Sequence, residues 1–515
     1  MRIKTSLISV SNKEGINNFA AELSKLNIEV ISTGGTRKKL VDGGLKVTPV
    51  SEITNFPEMM DGRVKTLHPK IHGGILAIRD NSNHLNEMKE HNIKPIDMVV
   101  VNLYPFESTI SRPDSSLSEA IENIDIGGPT LIRSAAKNYK DVVVITNPES
   151  YDKIIEELKQ NDGMISEVTR KKLALQAFNH TARYDSVISN YLNSKFKSAE
   201  KFPAIFSPSF EKLQNLRYGE NPHQKAAFYK EINLKYPCIA NARQLGGKEL
   251  SYNNLYDINA ALDMVRDFED ICCAVIKHTN PCGIAIGSDL LNTYIRAREV
   301  DPMSAFGSIV AFNRSLNPET AKEIIKTFVE VVIAPGFDNE SVNILRNKKN
   351  LRIIDIESIH KRRNRIDWKK VDGGLLLQDK DEKIITSSDF KLVSKTKPSE
   401  KQKKALEFAW KVVKHVKSNA IVITKEKEAV GIGAGQMSRV DAVQLAIKKG
   451  ADKVPGCVLA SDAFFPFRDS IDAAAKAGIT AIIEPGGSIR DKEVIEAADE
   501  HDLVLLFTGI RCFKH

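Results

Sequence analysis

The sequence predicts an α/β protein, and three observations carry that expectation. Over the first 200 residues, short β-branched runs alternate with helical patterns. Such a βαβ rhythm calls for a parallel sheet covered by helices on both faces. Polar motifs stand where those strands should end, and ligands in parallel sheets bind beyond the carboxyl ends of the strands. Farther along, AVIKHTNPCGIAIG (274–287) aligns without gaps to AIVITKEKEAVGIG (420–433). Each is followed by a Ser/Asp-Ala-Phe element, SAFGSIVAF at 304–312 and SDAFFPF at 461–467. An internal duplication would give this pattern, and so would two unrelated hairpins of similar composition. If the duplication holds, two α/β subdomains face each other and leave room for a ligand between them.

In chain order, TSLISVS reads as a strand, GINNFAAELSKL as a helix, IEVIST as the next strand, and IDMVVVNLY and DVVVIT as later ones. The segment from Glu167 to Leu192 is periodic enough for one long helix closing this part. KSAEKFPAIFSP, with its Pro and Ser content, reads as a linker. The expected organisation is therefore a first domain over 1–196, a linker over 197–208 and a second domain over 209–515. An internal boundary of the second domain is expected at about 365–400.

A chain of 515 residues is too long for one core and suggests roughly two to four domains. Hydrophobic content of 42% and charged content of 27% exclude disordered and fibrous classes. The excess of 74 basic over 66 acidic residues is too small to require nucleic acid. The densest basic run, HKRRNRIDWKK at 360–370, reads as a solvated face, and no nucleic-acid partner is expected. The N-terminal apolar run is far short of a signal-peptide core or a membrane span, so a cytoplasmic protein without a membrane partner is expected. Six cysteines, at 238, 272, 273, 282, 457 and 512, form neither a CxxC pair nor a dense framework and are expected as reduced thiols.

Several motifs carry chemistry. Ser11, Asn12 and Lys13 follow one strand, and Ser32, Thr33, Gly34, Gly35 and Thr36 follow the next. Helix-start amides with hydroxyls and a lysine make a phosphate cradle, although Ser, Asn and Gly are also ordinary helix caps. DGRVKTLHPKIHGG at 61–74 packs Arg63, Lys65, His68, Lys70 and His72 around Pro and Gly, which suits an anionic ligand or a solvated loop. No third ligand stands at zinc spacing, so no metal is expected. IDIGGPTLIRSAAKN at 124–138 sets Asp125 ahead of Gly127, Gly128 and Pro129, with Lys137 farther along the same helix. The amides beside Gly127 could stabilise a developing oxyanion.

These residues are familiar. SLISVSNK, STGGT, GRVKTLHPKIHGG, VNLYPF and IDIGGPTLIRSAAKN closely resemble the inosine monophosphate (IMP) cyclohydrolase domain of the bifunctional purine-biosynthesis enzymes. LRYGENPHQ, KHTNPCG, GIGAGQMSR, SDAFFPFRD and FTGIRCFKH resemble the formyltransferase domain of the same family, and together the motifs span the chain in the family's order. The resemblance implies a methylglyoxal-synthase-like parallel-sheet domain, then a transformylase domain of two tandem cytidine-deaminase-like subdomains. It implies formyl transfer from 10-formyltetrahydrofolate to 5-aminoimidazole-4-carboxamide ribonucleotide, followed by dehydrative closure to IMP. No catalytic metal is implied. A homodimer with the transferase site at the subunit interface is.

For ring closure the resemblance implies Lys65, Tyr104, Asp125 and Lys137 as catalytic residues. A delocalised amide nitrogen is a poor nucleophile, so orientation and oxyanion stabilisation must supply most of the rate. Asp125 would take the attacking nitrogen's proton, while Lys137, Lys65 or Tyr104 would stabilise the oxygen leaving as water. Ser11, Lys13, Ser32, Thr33, Gly34, Gly35, Thr36, Arg63 and Thr66 become nucleotide-binding candidates.

For formyl transfer the nucleophile is a conjugated aromatic amine, and a base must remove its proton as the bond forms. Lys277 and His278 are adjacent, so they share one pocket only if the strand ends there. Pro281 and Gly283 are expected to mark that end. Imidazole titrates near neutrality, which makes His278 the candidate base, with Lys277 stabilising the oxyanion or the leaving group. Asn280 would serve the turn, and Asn419 is the family-matched residue that orients the formyl group. Arg217, Tyr218, Arg439, Phe464, Asp469 and Arg511 match positions that bind nucleotide or folate, with Phe464 a pterin contact and Asp469 a partner for pterin nitrogens. A Cys282 thiolate relay is the alternative, but direct amine attack makes it unnecessary. A zinc deaminase would need P-C-x-x-C, and the second cysteine is missing after Pro281-Cys282. A non-enzymatic nucleotide sensor remains the other class, and the clustered Lys, Tyr, Asp and Lys at strand ends argue against it.

Overall fold

The computed structural model describes residues 2–196, 200–232, 234, 236–359 and 365–515. The chain forms two compact units, one of residues 1–210 with 231–233 and one of residues 211–230 with 234–515. Of the expected linker, residues 197–199 lie outside the described residues. The remainder is anchored within the first unit, because Asn190 Nδ2 donates to the Ser207 carbonyl at 3.1 Å and Ser186 Oγ donates to the same oxygen.

The first unit is built on strands β1 (Thr5–Val10), β2 (Glu29–Ser32), β3 (Thr48–Pro49), β4 (Met98–Asn102) and β5 (Val143–Ile145). They form one sheet in the order β3-β2-β1-β4-β5 with every pair parallel. The interiors of β4 and β5 are apolar on both faces and buried, and in β1 Leu7 and Ile8 bury an apolar side chain on each face, as a sheet covered on both sides requires. Chain order reverses between β1 and β4, which opens a crevice beyond their carboxyl ends. The long helix runs over Glu167–Lys195, with Ser166 Oγ accepting the Thr169 amide at its start. Leu173, Ala174, Ala177, Thr181, Tyr184 and Val187 recur at helical spacing and are buried.

The second unit holds β6 (Phe210–Leu216), most of which lies in it, paired with β7 (Ala226–Glu231). There follow β8 (Arg243–Gly246), β9 (Ile271–Lys277), β10 (Asn280–Gly287), β11 (Ser308–Phe312), β12 (Val329–Ala334) and β13 (Arg352–Asp355). A separate hairpin is made by β14 (Ile366–Val371) and β15 (Gly374–Asp379). Residues 360–364 of the basic run lie outside the described residues, and part of its remainder forms β14. The last set is β16 (Lys391–Leu392), β17 (Ile421–Lys425), β18 (Glu428–Gly433), β19 (Val458–Ser461), β20 (Ala481–Glu484) and β21 (Val504–Phe507).

Twelve of these strands make one sheet, in the order β16-β21-β20-β19-β17-β18-β10-β9-β11-β12-β13-β8. Each half repeats one plan: an antiparallel edge strand, a helix, a hairpin, then three mutually parallel strands separated by helices. The two stretches that align in sequence are the hairpins β9–β10 and β17–β18. The halves do not face each other as expected. They join edge to edge, β10 pairing antiparallel with β18 at Ala285 and Glu428, which gives the free backbone groups of two hairpin edges partners.

The six cysteines are all free thiols. Among the described residues, no helix is long and apolar enough to cross a membrane. Likewise, no group of three or more His, Cys, Asp or Glu side chains among them could hold a metal ion.

Candidate active sites

The crevice at the β1/β4 reversal is a cavity of about 560 Å³. Its walls bring together ten of the expected residues: Ser11, Lys13, Thr33, Gly35, Thr36, Arg63, Lys65, Thr66, Tyr104 and Asp125. The turn after β1 is clamped from β4, because Asn102 Oδ1 accepts the Ser11 amide at 2.6 Å and the Asn12 amide at 2.8 Å. Lys13 and Lys65 reach over the start of the helix Gly34–Asp42, within van der Waals distance of its two glycines. A Cβ at Gly34 would stand 3.4 Å from Lys65 Nζ, and one at Gly35 would stand 3.9 Å from Lys13 Nζ. At the start of that helix the Thr33 hydroxyl and the Gly34 amide both donate to Glu58 Oε1. A carboxylate thus occupies the helix N-terminus that an anion would seek. Arg63 is paired with Glu122 on the rim.

Asp125 lies just before the helix Gly127–Lys137, and its Oδ1 accepts the Gly128 amide at 2.8 Å. Residue 128 has to be glycine, since a Cβ there would fall 2.5 Å from Asp125 Oδ2 and 2.7 Å from Leu103 Cδ2. Burial pushes the Asp125 carboxyl above its ordinary value, against the pull of the Gly128 and Tyr104 amides and of Lys65. Tyr184, on the long helix, fixes the turn from behind. Its hydroxyl accepts the Asp125 amide at 2.9 Å and donates to the Asn123 carbonyl at 3.1 Å.

Three expected residues, Ser32, Gly34 and Lys137, do not line the cavity, and a fourth, Thr36, has its hydroxyl engaged elsewhere. Ser32 is fully buried, and its hydroxyl is given to the Ile8 carbonyl at 2.7 Å, tying β2 to β1. The Thr36 hydroxyl is likewise engaged with Val10, donating at 2.9 Å and accepting at 3.0 Å, so only the position of Thr36 shapes the cavity. The Gly34 amide is held by Glu58. Lys137 is not brought to the cavity: it is exposed at the far end of its helix, about 15 Å along the axis from Gly127 by the 1.5 Å rise per residue. Of the two histidines in 61–74, His68 caps the helix Pro69–Leu76 by accepting the Lys70 amide, and His72 meets Ser134.

In the second unit, Lys277, His278, Asn280 and Cys282 line a cavity of about 240 Å³ with residues from both halves of the sheet, among them Asp301 and Lys449. The strand does end at Lys277, but not because of Pro281 and Gly283. Those two lie inside β10, on either side of a register shift. The turn is His278-Thr279, with φ of 53° and 62° between paired Lys277 and Asn280. This is the type I′ geometry that the twist of a hairpin favours. Asp257 pins it by accepting the Thr279 amide at 2.6 Å and the His278 amide at 3.3 Å. Lys277 Nζ donates to the Phe306 carbonyl at 2.8 Å, and His278 is exposed at the tip.

Asn280 serves the turn through its Nδ2 donation to the His278 carbonyl at 3.2 Å. Its Oδ1 accepts the Lys417 amide at 2.9 Å, which links the hairpin to the segment bearing Asn419. Asn419 Oδ1 accepts Arg439 Nη2 at 2.7 Å, and Arg439 is in turn buried against Asp462. Cys282 is in β10, not in the turn, where its Sγ donates to the Val275 carbonyl and burial pushes the thiol up to about 12. It is a neutral thiol at physiological pH, not an activated nucleophile.

Arg217, Tyr218, Phe464, Asp469 and Arg511 do not line this cavity. The Arg217 guanidinium lies 4.6 Å from the Tyr218 ring centre and donates to its hydroxyl at 2.7 Å. Phe464 is exposed, and Asp469, also exposed, starts the helix Asp469–Lys476 with its Oδ1 accepting the Ser470 amide at 2.7 Å. Arg511 lies over Phe513, next to Cys512, whose amide reaches the Asp462 carbonyl at 3.0 Å. Sequence reasoning missed Asn102, Glu58, Tyr184, Asp257 and Asp462. Only the position of Asn102 at a strand end could have signalled any of them.

Two family models match the chain, and the longer of them covers part of both units. A family model described as AICARFT/IMPCHase bienzyme matches residues 135–449, and one described as MGS-like domain matches residues 15–130. A protein of Thermoanaerobacter sp. named "Bifunctional purine biosynthesis protein PurH" is 55% identical, covering 99% of this chain and 100% of its own. Proteins of the same name are 52% identical in Acetivibrio thermocellus, over 100% of both chains, and 51% identical in Bacillus cereus, over 99% of this chain and 100% of its own. A solved structure titled "Crystal structure of ForH" is 33% identical, covering 37% of this chain and 99% of its own with a TM-score of 0.33.

Proposed function

The chain belongs to the AICARFT/IMPCHase bienzyme family, and from that premise we propose that it runs two consecutive steps of purine biosynthesis at its two sites. The transferase site moves a formyl group from 10-formyltetrahydrofolate to the amine of 5-aminoimidazole-4-carboxamide ribonucleotide. The first-unit cavity then closes the ring to IMP with loss of water. The observation that carries the reading is the meeting of Lys65, Tyr104 and Asp125 in one cavity at the sheet's order reversal. There the positive ends of helices and two lysines suit a nucleotide phosphate.

In ring closure, the carboxamide nitrogen attacks the formamide carbon and its proton passes to the Asp125 carboxylate. Lys65 and the Tyr104 hydroxyl stabilise the oxyanion and protonate it, and that oxygen leaves as water while the former formamide nitrogen forms the ring C=N bond and gives up its own proton. The two hydrogens lost thus come from the two substrate nitrogens, and the side chains are restored. Ser11, Lys13, Thr33, Gly35 and Thr66 would hold the nucleotide, whose phosphate would displace Glu58 from the helix start. In formyl transfer, the amine attacks the formyl carbon and His278 takes its proton, returning it to the folate nitrogen as that group leaves. Lys277 and Asn419 hold the formyl oxygen as the bond to the folate nitrogen breaks. Arg217, Tyr218, Arg439 and Arg511 would bind nucleotide or folate, Phe464 would pack on the pterin, and Asp469 would pair with its nitrogens.

The scatter of these last residues outside the 240 Å³ cavity, with Phe464, Phe467 and Met437 exposed, supports a homodimer that completes the transferase site. Light scattering of the purified chain tests it. A cytoplasmic location fits an enzyme of small soluble substrates. The functional test supplies the aminoimidazole nucleotide and 10-formyltetrahydrofolate and follows the two half-reactions at separate wavelengths. His278→Ala should abolish formyl transfer and leave closure of the formylated nucleotide intact, and Asp125→Asn should do the reverse. A single variant that abolished both would sink the two-site reading.

A further inference from the structure

Glu484, the last residue of β20, is fully buried, yet ring closure and formyl transfer as described above make no use of it. Its Oε2 accepts the Phe465 amide at 2.6 Å. Its Oε1 is equally buried and has no hydrogen-bond partner among the described residues. The glutamate backbone is fixed, since its carbonyl accepts the Thr508 amide at 2.9 Å and the strand pairs with β21 at Phe507. The partner it holds is the middle of the loop between β19 and the helix Asp469–Lys476. The Phe465 ring is fully buried in the core, while its neighbours Phe464 and Phe467 are 38% and 47% exposed. The buried ring and this hydrogen bond fix the middle of the loop that presents Phe464 on one side and Asp469 on the other, while its ends are held by Ser461 Oγ, which donates to the Ala463 carbonyl at 2.6 Å, and by the Arg468 amide, which donates to Glu493 at 3.3 Å.

We propose that Glu484 is a positioning residue for formyl transfer: its carboxyl holds the Phe465 amide and so sets the loop that offers Phe464 and Asp469 to the pterin. The proposal rests on the reading of those two residues given under Proposed function. The charged groups that face Glu484 are Arg439 from the helix Arg439–Gly450, which favours ionisation, and Asp491 from the helix Asp491–Glu500, which opposes it. Arg439 is already engaged by Asp462, at the end of β19, and by Asn419. Burial prevails and pushes the Glu484 carboxyl up to about 8. At neutral pH the acid is protonated and the site is neutral. Above that value a carboxylate without a free counter-charge is left in the core, and the loop must open to hydrate it.

The test uses the full chain and its Glu484→Gln and Glu484→Leu variants, with formyl transfer measured between about pH 6.5 and 9.5, a span that brackets the raised value. Hydrogen exchange at the Phe465 amide is followed over the same range. In the wild type, the KM for 10-formyltetrahydrofolate should rise as pH passes about 8 while ring closure stays level. Glu484→Gln keeps an acceptor for Phe465 and cannot ionise, so it should keep the low-pH KM and lose the rise. Glu484→Leu should raise that KM about tenfold at every pH, the loss of one buried hydrogen bond, without moving ring closure.

An alkaline rise in Glu484→Gln equal to that of wild type, or an unchanged KM in a folded Glu484→Leu, would overturn the proposal. If Glu484→Leu fails to fold, as ring closure and the thermal midpoint would report, Glu484→Gln decides alone. Should the wild type transfer no formyl group, the functional reading fails and the exchange data decide. Faster loss of Phe465 protection above about pH 8 in wild type than in Glu484→Gln supports the positioning role, and equal loss removes it.

Discussion

Asp125 is in the position of a base whose environment has been set against its charged form. Its carboxyl is raised by burial, and a base acts only when ionised. Ring closure should therefore rise with pH through that raised value and fall below it, an acid limb higher than an ordinary aspartate would give. Replacing Asp125 with Asn should cost roughly 10²- to 10⁴-fold and remove the limb, as a pH profile of the isolated closure step would show. Tyr184 holds Asp125 by its backbone and never meets the substrate in this reading. Tyr184→Phe forfeits two hydrogen bonds to that turn, worth about 1–3 kcal/mol, and should lower ring-closure kcat while formyl transfer is unchanged. Lys65 lines the cavity and Lys137 does not, so Lys65→Leu should lose far more closure activity than Lys137→Leu in a side-by-side assay. Cys282, held as a thiol, should be replaceable by Ala with formyl transfer near the wild-type rate. The place of Cys282 in β10 was not legible in the sequence, because a Pro and a Gly inside a strand read locally as a turn.

At the level of elements, both hairpins of the second unit are pressed close to the helices that follow them. A Cβ at Gly283 in β10 would lie 1.8 Å from the Ala297 carbonyl, and one at Gly431 in β18 would lie 2.0 Å from the Ala446 carbonyl. Gly283→Ala or Gly431→Ala must push a helix off the sheet, at a cost of about 1–3 kcal/mol. Urea unfolding monitored with formyl transfer should record it. The close packing recurs in both halves, as does the order of elements, and this gives a faint sequence similarity a structural meaning. The I′ geometry of the β9–β10 turn puts His278 at the tip and leaves Lys277 on the strand beside it. Local pattern identified the strands because alternation and β-branching are written into consecutive residues. The edge-to-edge joining of the halves was not identifiable, because it depends on which strand edges remain unpaired once each half has folded.

For the molecule as a whole, each unit closes its own core, one around Leu7, Ile31, Val99 and Val144 and the other around the two halves of the long sheet. Leu7 is fully buried, and Leu7→Ala should destabilise the first unit by about 2–5 kcal/mol. On warming, ring closure should then fail at a lower temperature while formyl transfer persists. The amino-acid sequence by itself determined the α/β class, the parallel sheet of the first unit, and the strand-end motifs that supply the candidate chemistry, because each is encoded within a few turns or strands of chain. Only the tertiary structure decided which of those residues meet. It put Asn102 on a turn 91 residues away and Tyr184 behind an aspartate 59 residues away. It gave the hydroxyls of Ser32 and Thr36 to the sheet, and it left Lys137 at the far end of a helix. Convergence of that kind follows from strand order and helix direction, which no local stretch of sequence specifies.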